Sequence, residues 1–175
     1  MKRNLHAYLW LIFGTGVILV LDQWTKWLVR TNLEIGQMWS PFEWLAPYAR
    51  IVYWHNTGVA FGLFQGVGWL FAILSLIISI FIIFFYGRIP SEEWPLRLAL
   101  ILQLGGALGN LVDRVTIGYV IDFVSVGNFA VFNVADSCIT VGVVVMILGF
   151  WYMERKEKKL REQQQTFGEP GTPTQ

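Results

Sequence analysis

The stretch Gly68 to Gly87 (GWLFAILSLIISIFIIFFYG) carries no charged residue over twenty positions. A helix needs about 20 apolar residues to cross about 30 Å of hydrocarbon. A surface helix of a soluble domain keeps a polar stripe, and this stretch has none. It therefore demands a bilayer. Three further apolar runs follow the same logic. Ala7 to Leu21 is uncharged and runs into Asp22. Pro95 to Val112 has one arginine near its start, Arg97. Ser137 to Met153 is uncharged and ends at Glu154. Each reaches spanning length if its ends lie in the interface, so four transmembrane helices are expected.

Composition agrees. Only 14% of the 175 residues are charged and mean hydropathy is +0.51. A soluble domain carries about 25% charged residues. A net charge of +1 gives no basic excess to attract phosphate, so nucleic acid is not an expected partner. One cysteine, Cys138, excludes an internal disulfide and a multi-cysteine zinc site.

Basic residues set the orientation. Nine of the thirteen lie beside the N-terminus, between the second and third spans, or after the fourth: Lys2, Arg3, Arg88, Arg97, Arg155, Lys156, Lys158, Lys159 and Arg161. Lys26, Arg30, Arg50 and Arg114 lie opposite. The positive-inside rule places both termini in the cytoplasm. Trp24, Trp27, Trp39, Trp44, Trp54 and Trp69 then mark the outer interface, and Trp10, Trp94 and Trp151 the inner one. No small-x-small site closes the first apolar run, so it reads as an uncleaved span.

Two outer segments result, 31–67 and 113–135. In the first, Ile51-Val52-Tyr53-Trp54 has strand-forming residues, which predicts a small sheet at the membrane surface. The second contains the turn dipeptide Gly127-Asn128. The chain after Glu154 is charged, then polar with Pro and Gly, and is expected to be a disordered cytoplasmic tail, 154–175.

This topology brings all four aspartates, Asp22, Asp113, Asp122 and Asp136, toward the outer face. A charge at the centre of an inserted helix costs about 2.5–3.5 kcal/mol, so such residues face a bundle interior or a wet cavity. Asp122 and Asp136 are fourteen positions apart, and the Gly127-Asn128 turn can fold them together. Adjacent carboxylates share a proton, and such a pair activates water. The structural alternative also stands: Asp136 as a helix cap and Asp122 as a loop residue. Asp22 and Lys26 have i,i+4 spacing and form an ion pair by default. Asp113 and Arg114, as sequence neighbours, point apart. Gly105 and Gly109 form a GxxxG for close helix packing. Asn56, Asn110 and Asn133 are amides in apolar context, either structural or substrate-holding. His55 has no companion ligands, and Cys138 reads as a small buried residue.

Five ordered blocks carry a resemblance to the lipoprotein signal peptidases (signal peptidase II). They are Asp22-Gln23-Trp24-Thr25-Lys26; Asn56-Thr57-Gly58-Val59-Ala60-Phe61; Gly105 to Arg114 (GGALGNLVDR); Val120-Ile121-Asp122-Phe123; and Phe132 to Ser137 (FNVADS). The resemblance implies an aspartic endopeptidase of the bacterial inner membrane, its domain spanning 1–153 as an all-α four-helix bundle with a small β-containing outer segment. It implies Asp122 and Asp136 as the catalytic dyad. Asn56, Gly58, Asn110, Arg114 and Asn133 look like residues that hold the substrate or orient the dyad, and Asp22, Lys26 and Asp113 like supporting ones. The implied substrate is a prolipoprotein bearing diacylglyceryl-cysteine, cut just before that cysteine. Membrane lipid and globomycin-type lipopeptide inhibitors are implied partners, a monomer is expected, and no cofactor is implied. Outer segment 31–67 is expected to lie over the substrate. A proton-coupled transporter or an assembly scaffold would instead tolerate neutralised aspartates without loss of processing.

Overall fold

The computed structural model describes residues 2–58 and 66–168. The elements run α1 (Lys2–Asn32), β1 (Met38–Trp39), β2 (Ala49–Asn56), α2 (Gly68–Tyr86), α3 (Trp94–Thr116), β3 (Val120–Val126) and α4 (Val134–Gly168). All four helices are long and apolar enough to cross a membrane. α2 buries only Ser79, Ile82 and Tyr86, and presents bare side chains such as Ile77, Phe81 and Phe84 outward. That surface suits lipid and would be unstable in water.

α3 is the central helix. It packs on α1, α2 and α4. Its glycines make this possible. A Cβ on Gly105 would stand 2.7 Å from Ile18 of α1, and one on Gly109 would stand 2.6 Å from an Asp22 carboxylate oxygen. A Cβ on Gly106 would run into the Ala135 carbonyl of α4. The GxxxG pair thus faces α1, while Gly106 admits α4.

Two helices extend beyond the sequence expectation. α1 continues past Leu21 to Asn32, because nothing between them breaks a helix and two of the three charges on that stretch, Asp22 and Lys26, neutralise each other inside the bundle, while the third, Arg30, lies in the last turn. α4 continues past Met153 to Gly168, so the tail read as disordered from Glu154 begins as helix. Its Glu, Lys, Arg and Gln residues are good helix formers, and Glu157 and Arg161 meet at 3.5 Å across one turn.

The sheet has the order β1-β2-β3, all antiparallel. Ile51-Val52-Tyr53-Trp54 lies in β2 as its composition predicts. The third strand was not legible: Val120 to Val126 is buried at nearly every position and lacks alternation. Tyr53, Ile121 and Phe123 pack with Val29 of α1, fastening the sheet to the bundle. After β3, Gly127 takes a positive φ of 51°. The chain reverses there, and Val124 and Phe132 exchange backbone hydrogen bonds at 2.8 and 3.0 Å.

Candidate active site

The reversal at Gly127-Asn128 does what its dipeptide suggests. It returns Asn133 and Asp136 alongside Asp122. Asn133 stands immediately before α4 and caps it. Its side-chain oxygen accepts the Asp136 N–H at 2.9 Å, and its own N–H donates to Asp136 Oδ2 at 3.2 Å. This reciprocal arrangement is a capping box. Asp136 therefore does take part in capping α4, and it also faces Asp122 across a shared set of amides.

Asn133 is the hub of that set. Its Nδ2 donates to Asp122 Oδ1 at 2.7 Å, with further contacts to Asn110 Oδ1 at 3.1 Å and the Ile121 carbonyl at 3.3 Å. Asn110 Nδ2 donates to Asp136 Oδ1 at 2.8 Å. Asn56, at the end of β2, donates to Asp122 Oδ2 at 2.8 Å, while its oxygen accepts the Gly58 N–H at 3.0 Å. All four carboxylate oxygens of Asp122 and Asp136 thus accept hydrogen bonds. Among the described residues, no lysine or arginine forms a salt bridge with either. Asp122 is buried, 1% exposed. Burial first, and the neighbouring Asp136 charge second, push its carboxyl up to about 7.

Both carboxylates line a cavity of about 500 Å³. Asn56, Asn110 and Arg114 also line it. Phe129, Phe132 and Ile139 are among its apolar lining. Arg114 reaches the Gly58 carbonyl at 3.5 Å, so it is not turned out to water. As its sequence position suggests, it does not pair with Asp113.

Asp113 belongs to a second cluster beneath the first. Lys26 Nζ meets Asp22 and Asp113 at 2.8 Å each, and donates to Asn110 Oδ1 at 3.0 Å. Asp22 also accepts the Ala135 N–H at 2.9 Å, and Asp113 accepts the Ile121 N–H at 3.1 Å. The expected Asp22–Lys26 pair is present, but it is one edge of a larger cluster. Gln23 was missed by the sequence reading. Its Nε2 donates to Asp113 at 2.9 Å, and to Asp22 and the Gly109 carbonyl at 3.2 Å. Its place beside Asp22, on the face that carries Lys26, was the available signal.

Val59, Ala60 and Phe61 of the second sequence block, and part of the expected lid, lie outside the described residues. His55 is not drawn into the cavity. It stacks on Tyr119 at 3.7 Å, and burial holds its imidazole below its usual range. Among the described residues, no group of three or more His, Cys, Asp or Glu is placed to hold a metal ion.

The sequence matches the family described as signal peptidase (SPase) II over residues 15–152. It is 38% identical over 163 residues to a lipoprotein signal peptidase of Acinetobacter baumannii, covering 88% of this chain and 89% of the relative. It is 42% identical over 147 residues to a lipoprotein signal peptidase of Halalkalibacterium halodurans, covering 82% and 92%. The fold superposes on a bacterial membrane enzyme solved by the in meso method at 2.3 Å, with a TM-score of 0.75 and 30% identity over 81% of this chain and 87% of that one.

Proposed function

The chain belongs to the signal peptidase II family, and from that premise we propose that it is an aspartic endopeptidase which removes signal peptides from prolipoproteins, with Asp122 and Asp136 as its dyad. The observation that carries this reading is the pairing of two carboxylates in the lining of one cavity, their hydrogen bonds coming from amides alone. A cation in contact would keep both ionised. Burial and the neighbouring Asp136 charge instead outweigh the amide donors, which favour the ionised form, and let one carboxyl hold a proton near neutral pH; Asp122, pushed up to about 7, is that one.

The reaction follows from that asymmetry. Ionised Asp136 takes a proton from a water in the cavity. Protonated Asp122 donates to the scissile carbonyl and polarises it. The water attacks, and the tetrahedral intermediate collapses as a carboxyl returns a proton to the leaving amine. Asn56 and Arg114 flank the dyad and suit the substrate backbone. The apolar lining of the cavity, Phe129, Phe132 and Ile139 among it, suits the diacylglyceryl chains, and cleavage falls just before the lipid-bearing cysteine. Both termini lie in the cytoplasm, and the site opens near the outer face of the inner membrane. There the substrate helix leaves the hydrocarbon, so water reaches the bond while the lipid stays in the bilayer. A globomycin-type lipopeptide inhibits by filling the same cavity.

The test uses purified protein in detergent with a diacylglyceryl-modified prolipoprotein. Asp122→Asn and Asp136→Asn should each lower turnover by at least about 100-fold with thermal unfolding preserved. Equal cleavage by both variants removes the dyad. If wild type fails to cut where another family member does, the peptidase reading itself fails.

A further inference from the structure

Three carboxamides face the dyad, and a carboxamide helps a carboxylate only when its nitrogen, not its oxygen, is turned toward it. Each of the three has its oxygen occupied from behind. For Asn56 the donor is the Gly58 N–H at 3.0 Å, and for Asn133 it is the Asp136 N–H at 2.9 Å. Both are backbone groups of the immediate neighbourhood. For Asn110 the donors are side chains: the Lys26 ammonium at 3.0 Å and Asn133 Nδ2 at 3.1 Å. An ammonium has three N–H donors and no acceptor. Turning the Asn110 amide over would set N–H against N–H at Lys26, and oxygen against carboxylate at Asp136. Both contacts are repulsive, the one at Lys26 buried and the one at Asp136 part-buried.

Lys26 is 1% exposed and its three donors are all engaged. Two meet Asp22 and Asp113, which hold the ammonium in place. The third meets Asn110, whose other end donates to Asp136 at 2.8 Å. Lys26 itself has no salt bridge to the dyad.

We propose that Lys26 is a positioning residue for the hydrolysis, and that it acts through Asn110 by fixing which end of that carboxamide meets Asp136. Gln23 touches the same two aspartates but has no bond to Asn110, so it supports the cluster without taking part in the relay. The proposal rests on the dyad reading above.

A double-variant cycle tests it, with kcat and KM measured on the detergent-purified chain and a diacylglyceryl-modified prolipoprotein. Lys26→Met and Asn110→Ala should each lower kcat by about 100-fold, the loss typical of a misplaced reacting group. Combined, they should still cost about 100-fold, because both break one relay. Multiplied losses, near 10,000-fold, would overturn the proposal, since Lys26 would then act independently of Asn110. Gln23→Ala should lower thermal stability and leave kcat within about twofold. A kcat loss there equal to that of Lys26→Met would assign the effect to the whole cluster and overturn the relay.

Should Lys26→Met leave two uncompensated carboxylates and fail to fold, Lys26→Met with Asp22→Asn and Asp113→Asn removes the buried charges together. Replacing a whole buried ion cluster is tolerated far better than breaking one. This variant should fold and still show the about 100-fold kcat loss; a wild-type kcat would overturn the proposal. Asp136→Asn run in parallel separates the two readings. If it is active, the dyad reading fails. If it is inactive while the cycle is multiplicative, only the relay fails.

Discussion

Asp22 and Asp113 on one side, and Asp122 and Asp136 on the other, are two aspartate pairs in one small bundle, joined through Asn110. They are built differently. The first pair is sealed, 0% and 3% exposed, and encloses an ammonium. Gln23, Ala135 and Ile121 supply its remaining donors. The second pair opens onto the cavity and is held by carboxamides and one backbone N–H. A compensated, dry pair stabilises helix packing and has no water to activate. A pair with no salt bridge that lines a cavity is suited to exchange a proton with water. Residue type does not distinguish the pairs. What surrounds them does.

The sharpest way to break this comparison is to remove one carboxylate from the sealed pair. Asp113→Ala leaves the Lys26 ammonium short of a partner and the Ile121 N–H without its acceptor. A loss of about 3–5 kcal/mol is expected. Thermal unfolding in detergent reads it directly, and a stability change near that of Asp122→Asn would erase the distinction between the pairs.

A smaller effect is expected from Gly109→Ala, which crowds the sealed pair without touching its charges. The new methyl would meet Asp22 Oδ2 at 2.6 Å and the Ala135 Cβ at 3.2 Å. Overpacking of this kind costs about 1–3 kcal/mol. Gly109→Ala is therefore expected to unfold at a lower temperature than wild type, and an unchanged unfolding temperature would show that the α1–α3–α4 junction is softer than its glycines imply.

The open pair should leave the gentlest signature, a pH dependence. Asp122 stands at about 7 in the folded chain against an ordinary 3.8. A carboxyl raised on folding contributes stability that is full below its unfolded value. That contribution is lost as pH rises through the folded value. Wild type should therefore lose unfolding temperature between about pH 4 and about pH 7 relative to Asp122→Asn, which lacks the titrating group. Parallel profiles for the two proteins would place Asp122 outside the titration.

Much of this architecture is written locally. An unbroken apolar run must be a span, because no other solvent accepts it. The i,i+4 spacing of Asp22 and Lys26 makes a pair on any helix, and Gly127-Asn128 turns the chain wherever it sits. GxxxG announces a close approach by a neighbouring helix. Each of these depends on residues within a few positions of one another, so the chain alone determines them. Family resemblance then singled out Asp122 and Asp136, which spacing alone left balanced against a cap and a loop.

What remained hidden depends on partners far apart in the chain. Asp22 accepts a backbone N–H from Ala135, 113 residues away, and Lys26 donates to Asn110 across 84. Gln23 reaches Asp113 across 90. β3 gave no alternation to read, because the sheet and the bundle cover both its faces. The sequence by itself determined the spans, the turn and which polar residues the bundle must accommodate. Only the tertiary structure decided which two aspartates share an ammonium and which two share a cavity. That choice rests on how α1, α3 and α4 are rotated against one another at Gly105, Gly106 and Gly109, and side-chain packing between distant segments sets that rotation.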